Sequence, residues 1–161
     1  VQSMSLSLDG STAERHDAFR GVPGTFTTTV RAARWIREAG IRLQINTLVT
    51  SETVDDLPAI HELLRGLDIM RWSLFFLIGV GRGAALREVS PARSPRLFRW
   101  LLDLEATSSF PIKTTEATHY RRVADTNSTV VFPRYGLWWT AFTMARAEGA
   151  YQKVVVVVSP P

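Results

Sequence analysis

The chain has 161 residues, 45% of them hydrophobic and 21% charged, the size and balance of one ordinary globular domain rather than of a disordered chain. It contains no cysteine, so its own residues offer no disulfide, thiolate metal ligand or cysteine nucleophile. The 19 basic residues outnumber the 15 acidic ones, for a formal charge of +4. They are nearly all arginine, Lys113 and Lys153 being the only lysines, and they lie scattered among acids. No aromatic-interleaved basic stripe points to nucleic acid. The longest apolar run, Trp72 to Val80, falls far short of the roughly 20 residues of a membrane span.

From Ser3 to Leu8 apolar Met4, Leu6 and Leu8 alternate with serines, the period of a strand, and Asp9-Gly10 ends it with turn chemistry. Ser11 is expected to cap a short helical turn through Arg15, with Glu14 three residues on as in a capping box. Gly21, Pro23 and Gly24 form a loop, and His16-Asp17 before it reads as a hydrogen-bonded pair. An amphipathic helix starts at Thr25, with Phe26, Val30, Ala33 and Ile36 on one face and Gly40 as its stop. Ile41 to Val49 alternates as a second strand. Ser51 or Thr53 then caps a helix bearing Leu57, Ile60, Leu63 and Leu64, with Pro58 early enough to be tolerated. His61 lies near its apolar face and reads as a packing residue. Gly66 closes the helix, Ile69 to Ile78 is a third strand, and a glycine-rich loop, Gly79-Val80-Gly81-Arg82-Gly83, follows. A helix over Pro95 to Ala106 and a short strand over Pro111 to Thr115 come next.

Strands alternating with helices in this way predict a parallel α/β fold. Beyond about Asp125 the composition shifts to Trp138-Trp139, a small-residue helix to Ala147 and five valines, Val154 to Val158.

The strand faces carry the chemistry. Met4/Leu6/Leu8, Leu43/Ile45 and Trp72/Leu74/Phe76 suit a helix-covered side, whereas Ser5/Ser7, Gln44/Asn46 and Arg71/Ser73 point the other way. Such a polar face either lines a cavity for a polar ligand or is the solvated side of a one-sided sheet. The glycine loop follows a strand's C-terminal end, where α/β folds place ligands, and its amides could approach a phosphate or carboxylate; a flexible turn is the plainer reading. His119, near Arg121, could bind an anionic substrate, with Glu116 as an acid/base partner. The three histidines form no metal spacing, and neither a nucleophile elbow nor a Walker loop is present.

Ser7-Leu8-Asp9-Gly10, His16-Asp17-Ala18-Phe19-Arg20-Gly21, Gly24-Thr25-Phe26 and the segment ending Ile45-Asn46-Thr47-Leu48-Val49 together resemble the middle of radical S-adenosylmethionine enzymes of the SPASM or twitch type. The resemblance covers roughly residues 3–123. It implies the C-terminal half of a partial (β/α)6, TIM-like barrel, with strands four to six supplied by this chain. The tail over 124–161 is unassigned, and its abrupt shift in composition predicts non-native sequence from a frame change or a broken assembly. The resemblance implies S-adenosylmethionine as cofactor, with Ser7 at its ribose or amino-acid end, Gln44 and Asn46 lining the same pocket, Phe76 and Leu77 flanking the adenine, and Arg71 and His119 facing substrate. The intact parent would also carry a 4Fe–4S cluster, whose cysteines this chain lacks. That parent would be cytoplasmic, take electrons from a reductant protein, and use an adenosyl radical to abstract hydrogen from a peptide or a tetrapyrrole. The alternative is a cluster-free α/β-barrel enzyme holding a phosphorylated substrate at the glycine loop, and a polyanion-binding module is a third reading.

Overall fold

The computed structural model describes residues 2–78 and 85–115, together with the backbone of 140–147 and 150–157. Packing divides the chain into two units, Val1–Ser128 and Thr129–Pro161.

The first unit opens with strand β1 (Ser3–Ser7), helix α1 (Ala13–Arg20) and helix α2 (Thr25–Glu38). Strand β2 (Arg42–Val49), a 3-10 turn (Val54–Asp56) and helix α3 (Leu57–Arg65) follow. Strand β3 (Arg71–Phe76), helix α4 (Ser94–Thr107) and strand β4 (Ile112–Thr115) complete it. The four strands form one sheet in the order β1-β2-β3-β4, and every neighbouring pair is parallel. Parallel neighbours need crossovers, which the helices provide.

The alternation in β2 appears directly in its burial. Leu43, Ile45, Thr47 and Val49 are buried, while Gln44, Asn46 and Leu48 between them are half-exposed. Leu43, Ile45, Val49, Trp72, Leu74 and Ile112 from the strands share one core with Ala33, Ile36, Leu57, Ile60, Leu64, Leu97 and Leu101 from the helices. Each fully buried aliphatic side chain there stabilises by about 2 kcal/mol. His61 packs as expected. Its ring lies against those of Trp72 and Phe110, and Nε2 meets the Ser108 hydroxyl at 3.2 Å.

Several local expectations are corrected by partners far away in sequence. Thr12, not Ser11, caps α1, its hydroxyl accepting the Arg15 N–H. Ser11 instead gives both its N–H and its hydroxyl to the Asp56 carboxylate, each at 2.7 Å. His16 and Asp17 are not a pair. Asp17 accepts from the N–H groups of Gly24 and Phe26 and from the Thr25 hydroxyl, at 2.6, 2.7 and 2.8 Å. These bonds, the Phe26 amide foremost, hold its carboxyl below the usual range. They also tie the turn in which Gly24 takes φ 81°, a value that favours glycine. Neither Ser51 nor Thr53 caps α3: the buried Ser51 hydroxyl bonds no described group, and the Thr53 hydroxyl donates to the Leu48 carbonyl. Pro58 sits in the first turn of α3, where its missing N–H costs nothing.

The second unit contains strands β5 (Thr140–Ala147) and β6 (Ala150–Val157), paired antiparallel from Thr140↔Val157 to Ala147↔Ala150. The expected small-residue helix ending at Ala147 is therefore a strand. Its partner is the β-branched valine run, whose preference for an extended backbone decides the pairing.

Candidate functional site

Register aligns the polar faces of successive strands into rows. Ser5 stands beside Gln44 and Gln44 beside Arg71; one step on, Ser7, Asn46, Ser73 and Lys113 follow across the sheet. None of these side chains joins the apolar core. Ser7 is exposed, Gln44, Asn46 and Arg71 are half-buried, and Ser73 is buried. Gln44 Nε2 donates to Asn46 Oδ1 at 2.7 Å, which fixes the Asn46 amide and leaves its NH2 to donate elsewhere. One face thus offers three hydroxyls, two carboxamides and two cations, running from Arg71 at the amino end of β3 to Ser7 at the carboxyl end of β1, the end at which α/β folds bind ligands.

A buried polar network lies where β1 and β2 end. Leu8 donates its N–H to the Asn46 carbonyl at 2.9 Å. The Thr47 hydroxyl donates to the Leu8 carbonyl at 2.7 Å and accepts from the Trp72 indole N–H at 2.9 Å. Asp9 Oδ1 accepts the Leu48 N–H at 2.7 Å, and Oδ2 is ion-paired with Arg20 at 2.5 Å. The Asp9 N–H donates to His16 Nδ1 at 3.0 Å, so the neutral ring carries its proton on Nε2. Burial lowers the His16 pKa, more than the attraction of Asp9 raises it. Gly10 makes this approach possible, since a Cβ there would fall 2.4 Å from the His16 backbone nitrogen. Beside the network lies a depression of about 310 Å³ lined by Asp9, Arg15, Phe19, Glu52 and Asp56.

Of the residues singled out from the sequence, Ser7, Gln44, Asn46 and Arg71 share the polar face. Leu77 continues the ladder, its N–H reaching the Val49 carbonyl at 3.1 Å. Phe76 lies on the helix side, as its place in the alternation predicts, with its ring against Phe98 at 5.5 Å; its main chain is left for the role the resemblance implies. The glycine loop, Glu116 and His119 lie outside the described residues. Asp9, His16, Thr47 and Trp72 were not picked out as site residues. Thr47 had a signal, as the one polar side chain in the apolar row of its strand.

The donors and acceptors of the polar face fit the ribose hydroxyls and amino-acid group of S-adenosylmethionine. A 4Fe–4S cluster does not fit this chain, because such clusters are held by thiolates and no cysteine is present. Among the described residues, no group of three or more histidine, aspartate or glutamate side chains could hold a metal ion. No described helix is long and apolar enough to cross a membrane.

No family model matches the chain. It is 39% identical over 125 residues to an AdoMet-dependent heme synthase of Nitratidesulfovibrio vulgaris, covering 76% of this chain and 34% of that protein. A protein of the same name from Methanosarcina barkeri is 38% identical over 123 residues, covering 76% and 35%. The chain thus spans about a third of the length of the curated relatives it matches. Among solved structures, SuiB of Streptococcus suis bound to S-adenosylmethionine matches with a TM-score of 0.56 at 18% identity, covering 69% of this chain and 26% of that one. A radical SAM methyltransferase from Sphaerobacter thermophilus matches at 0.52 and 20%, covering 70% and 33%.

Proposed function

The chain is kin to the radical S-adenosylmethionine enzymes, and on that premise we propose that its sheet is one side of a partial (β/α)6 barrel whose polar face holds S-adenosylmethionine. One observation carries the reading: Ser7, at the carboxyl end of β1, stands beside Asn46, which Gln44 holds, on one polar face of a parallel sheet, in a sequence similar to enzymes named for AdoMet dependence. Held there within a longer protein, S-adenosylmethionine would supply hydrogen-atom abstraction from the substrate once reduced by one electron through a 4Fe–4S cluster that residues outside this chain would hold.

The chain's own residues bind and orient. The Ser7 hydroxyl would bond the ribose or the amino-acid end, while Asn46, held by Gln44, would present its NH2 to a ligand oxygen. The Phe76 and Leu77 main chain would border the adenine. Fixing the ligand in this way supplies orientation and excludes water from the reacting centre.

The substrate class we propose is a tetrapyrrole. The relatives named heme synthase support it at 39% and 38% identity, and Arg71 and Lys113 on the polar face suit its carboxylates. SuiB, solved with a precursor peptide, is 17% identical and supports the fold alone. A reductant protein would supply the electron.

Titrating the 15N-labelled chain with S-adenosylmethionine tests the ligand assignment. Amide shifts should concentrate at Ser7, Asn46 and Leu77 with a Kd of about 1 mM, or ~4 kcal/mol. Shifts absent from these residues at saturating ligand would refute it.

A further inference from the structure

We propose that Asp9 and His16 are positioning residues: the Asp9 carboxylate, held by His16, takes over half of one rung of the β1–β2 ladder and fixes the two strand ends, so that Ser7 and Asn46 meet the ligand at a fixed spacing. The ligand in this statement is the S-adenosylmethionine proposed above, and the role rests on that reading.

A regular parallel ladder alternates its bonds between the two strands. After the Leu8 N–H reaches the Asn46 carbonyl, the next rung would send the Leu48 N–H to the Leu8 carbonyl. Two side-chain oxygens take over that rung. Asp9 Oδ1 accepts the Leu48 N–H, and the Thr47 hydroxyl donates to the Leu8 carbonyl, both at 2.7 Å. Both backbone groups stay satisfied although they no longer bond each other. Between β2 and β3 the ladder runs on at the same level, Leu77 N–H to Val49 carbonyl. The departure is therefore confined to the gap between the strands that carry Ser7 and Asn46. Local breaks of this kind re-aim neighbouring side chains.

Each inserted group is itself held. Thr47 is fixed by the Trp72 indole. Asp9 is held at three points: Oδ1 on Leu48, Oδ2 on Arg20, and its own N–H on His16 Nδ1. Asp9 and His16 are both buried, with 3% and 1% of their surface exposed. A carboxylate so enclosed keeps its geometry only while every contact is made. His16 thereby links helix α1 to the rung, and its requirement is specific: an acceptor at the Nδ1 position.

The chemistry of that acceptor supplies the test. In His16→Asn the Oδ1 atom stands near the place of Nδ1, whereas His16→Leu keeps an apolar side chain of similar reach without an acceptor. In the ligand-free 161-residue chain, the Leu48 amide should exchange with solvent about tenfold faster in His16→Leu, with His16→Asn near the parent value. Arg20→Met, a change at a half-exposed side chain that leaves the core intact, should move Leu48 exchange in the same direction. Unchanged Leu48 exchange in both His16→Leu and Arg20→Met overturns the clamp, whatever binds.

The ligand titration then separates positioning from mere stability. At matched global stability by urea unfolding, His16→Leu should require about tenfold more S-adenosylmethionine to shift Ser7 and Asn46, and His16→Asn should restore the parent response. Parent-like binding by His16→Leu, or failure of Asn to rescue, overturns the positioning role. A parent chain that shows no shifts at all refutes both the ligand assignment and this role toward it, leaving the exchange result to decide only whether the clamp exists.

Discussion

Thr47 shows how much a single hydroxyl can tie together. It bridges the Leu8 carbonyl and the Trp72 indole in a fully buried position, joining the ends of β1, β2 and β3. Thr47→Val keeps the shape and strands both partners, which should cost about 2–3 kcal/mol. Thr47→Ser keeps the hydroxyl and should lose less than about 1 kcal/mol; urea unfolding of the two variants separates the hydroxyl from the methyl. Gly10→Ala sets a Cβ against backbone 2.4 Å away. It should destabilise by more than about 2 kcal/mol, because the His16 main chain cannot give way cheaply. The same unfolding measurement checks it.

At the scale of elements, the two helix-borne histidines make stability depend on pH. Burial lowers the pKa of His16 in α1 and of His61 in α3. Each is neutral in the fold and binds its proton more readily when unfolded. Their contribution is therefore complete above the unfolded value near 6.5 and is lost as pH falls from there toward the lowered folded values, by at most about 1.4 kcal/mol per unit per histidine. Denaturant midpoints between pH 7.5 and 5 should fall for the parent and fall less steeply in His61→Leu, where His16 still titrates. Packing within α3 gives a second check, since Ile60→Ala removes a fully buried side chain and should cost 2–5 kcal/mol. Three of the four parallel strands were legible in the sequence from alternating faces, which put Ser7, Gln44 and Asn46 on the polar side; their role toward a ligand came from the family resemblance. The caps were not legible, because Ser11 turns to Asp56, 45 positions away, and no local pattern reports such a partner. The role of His16 was hidden in the same way. Its bond to Asp9 spans a turn and the start of a helix, and the adjacent Asp17 offered a misleading partner. The strand ending at Ala147 reads as helix from its small residues, although its partner is the adjoining segment, paired from Ala147↔Ala150 to Thr140↔Val157.

For the whole molecule, the absence of cysteine is decisive about iron. Anaerobic treatment of the chain with ferrous iron and sulfide should yield no 4Fe–4S absorbance; a signal stoichiometric with protein would contradict this. The outer side of β1 has no partner among the described strands, and an unpaired edge is a template for pairing between copies. Light scattering should therefore rise with concentration. The strand order has a further consequence, for synthesis. Because β1, β2, β3 and β4 lie side by side in the order in which they are made, each new strand finds its docking edge in the one just completed. No early strand has to wait unpaired for a distant late one, so the exposed stretch is never longer than one strand and its crossover. The sheet can grow as the ribosome delivers it, and limited proteolysis of stalled nascent chains should show protection of β1 and β2 once α3 has emerged, before β4 is translated.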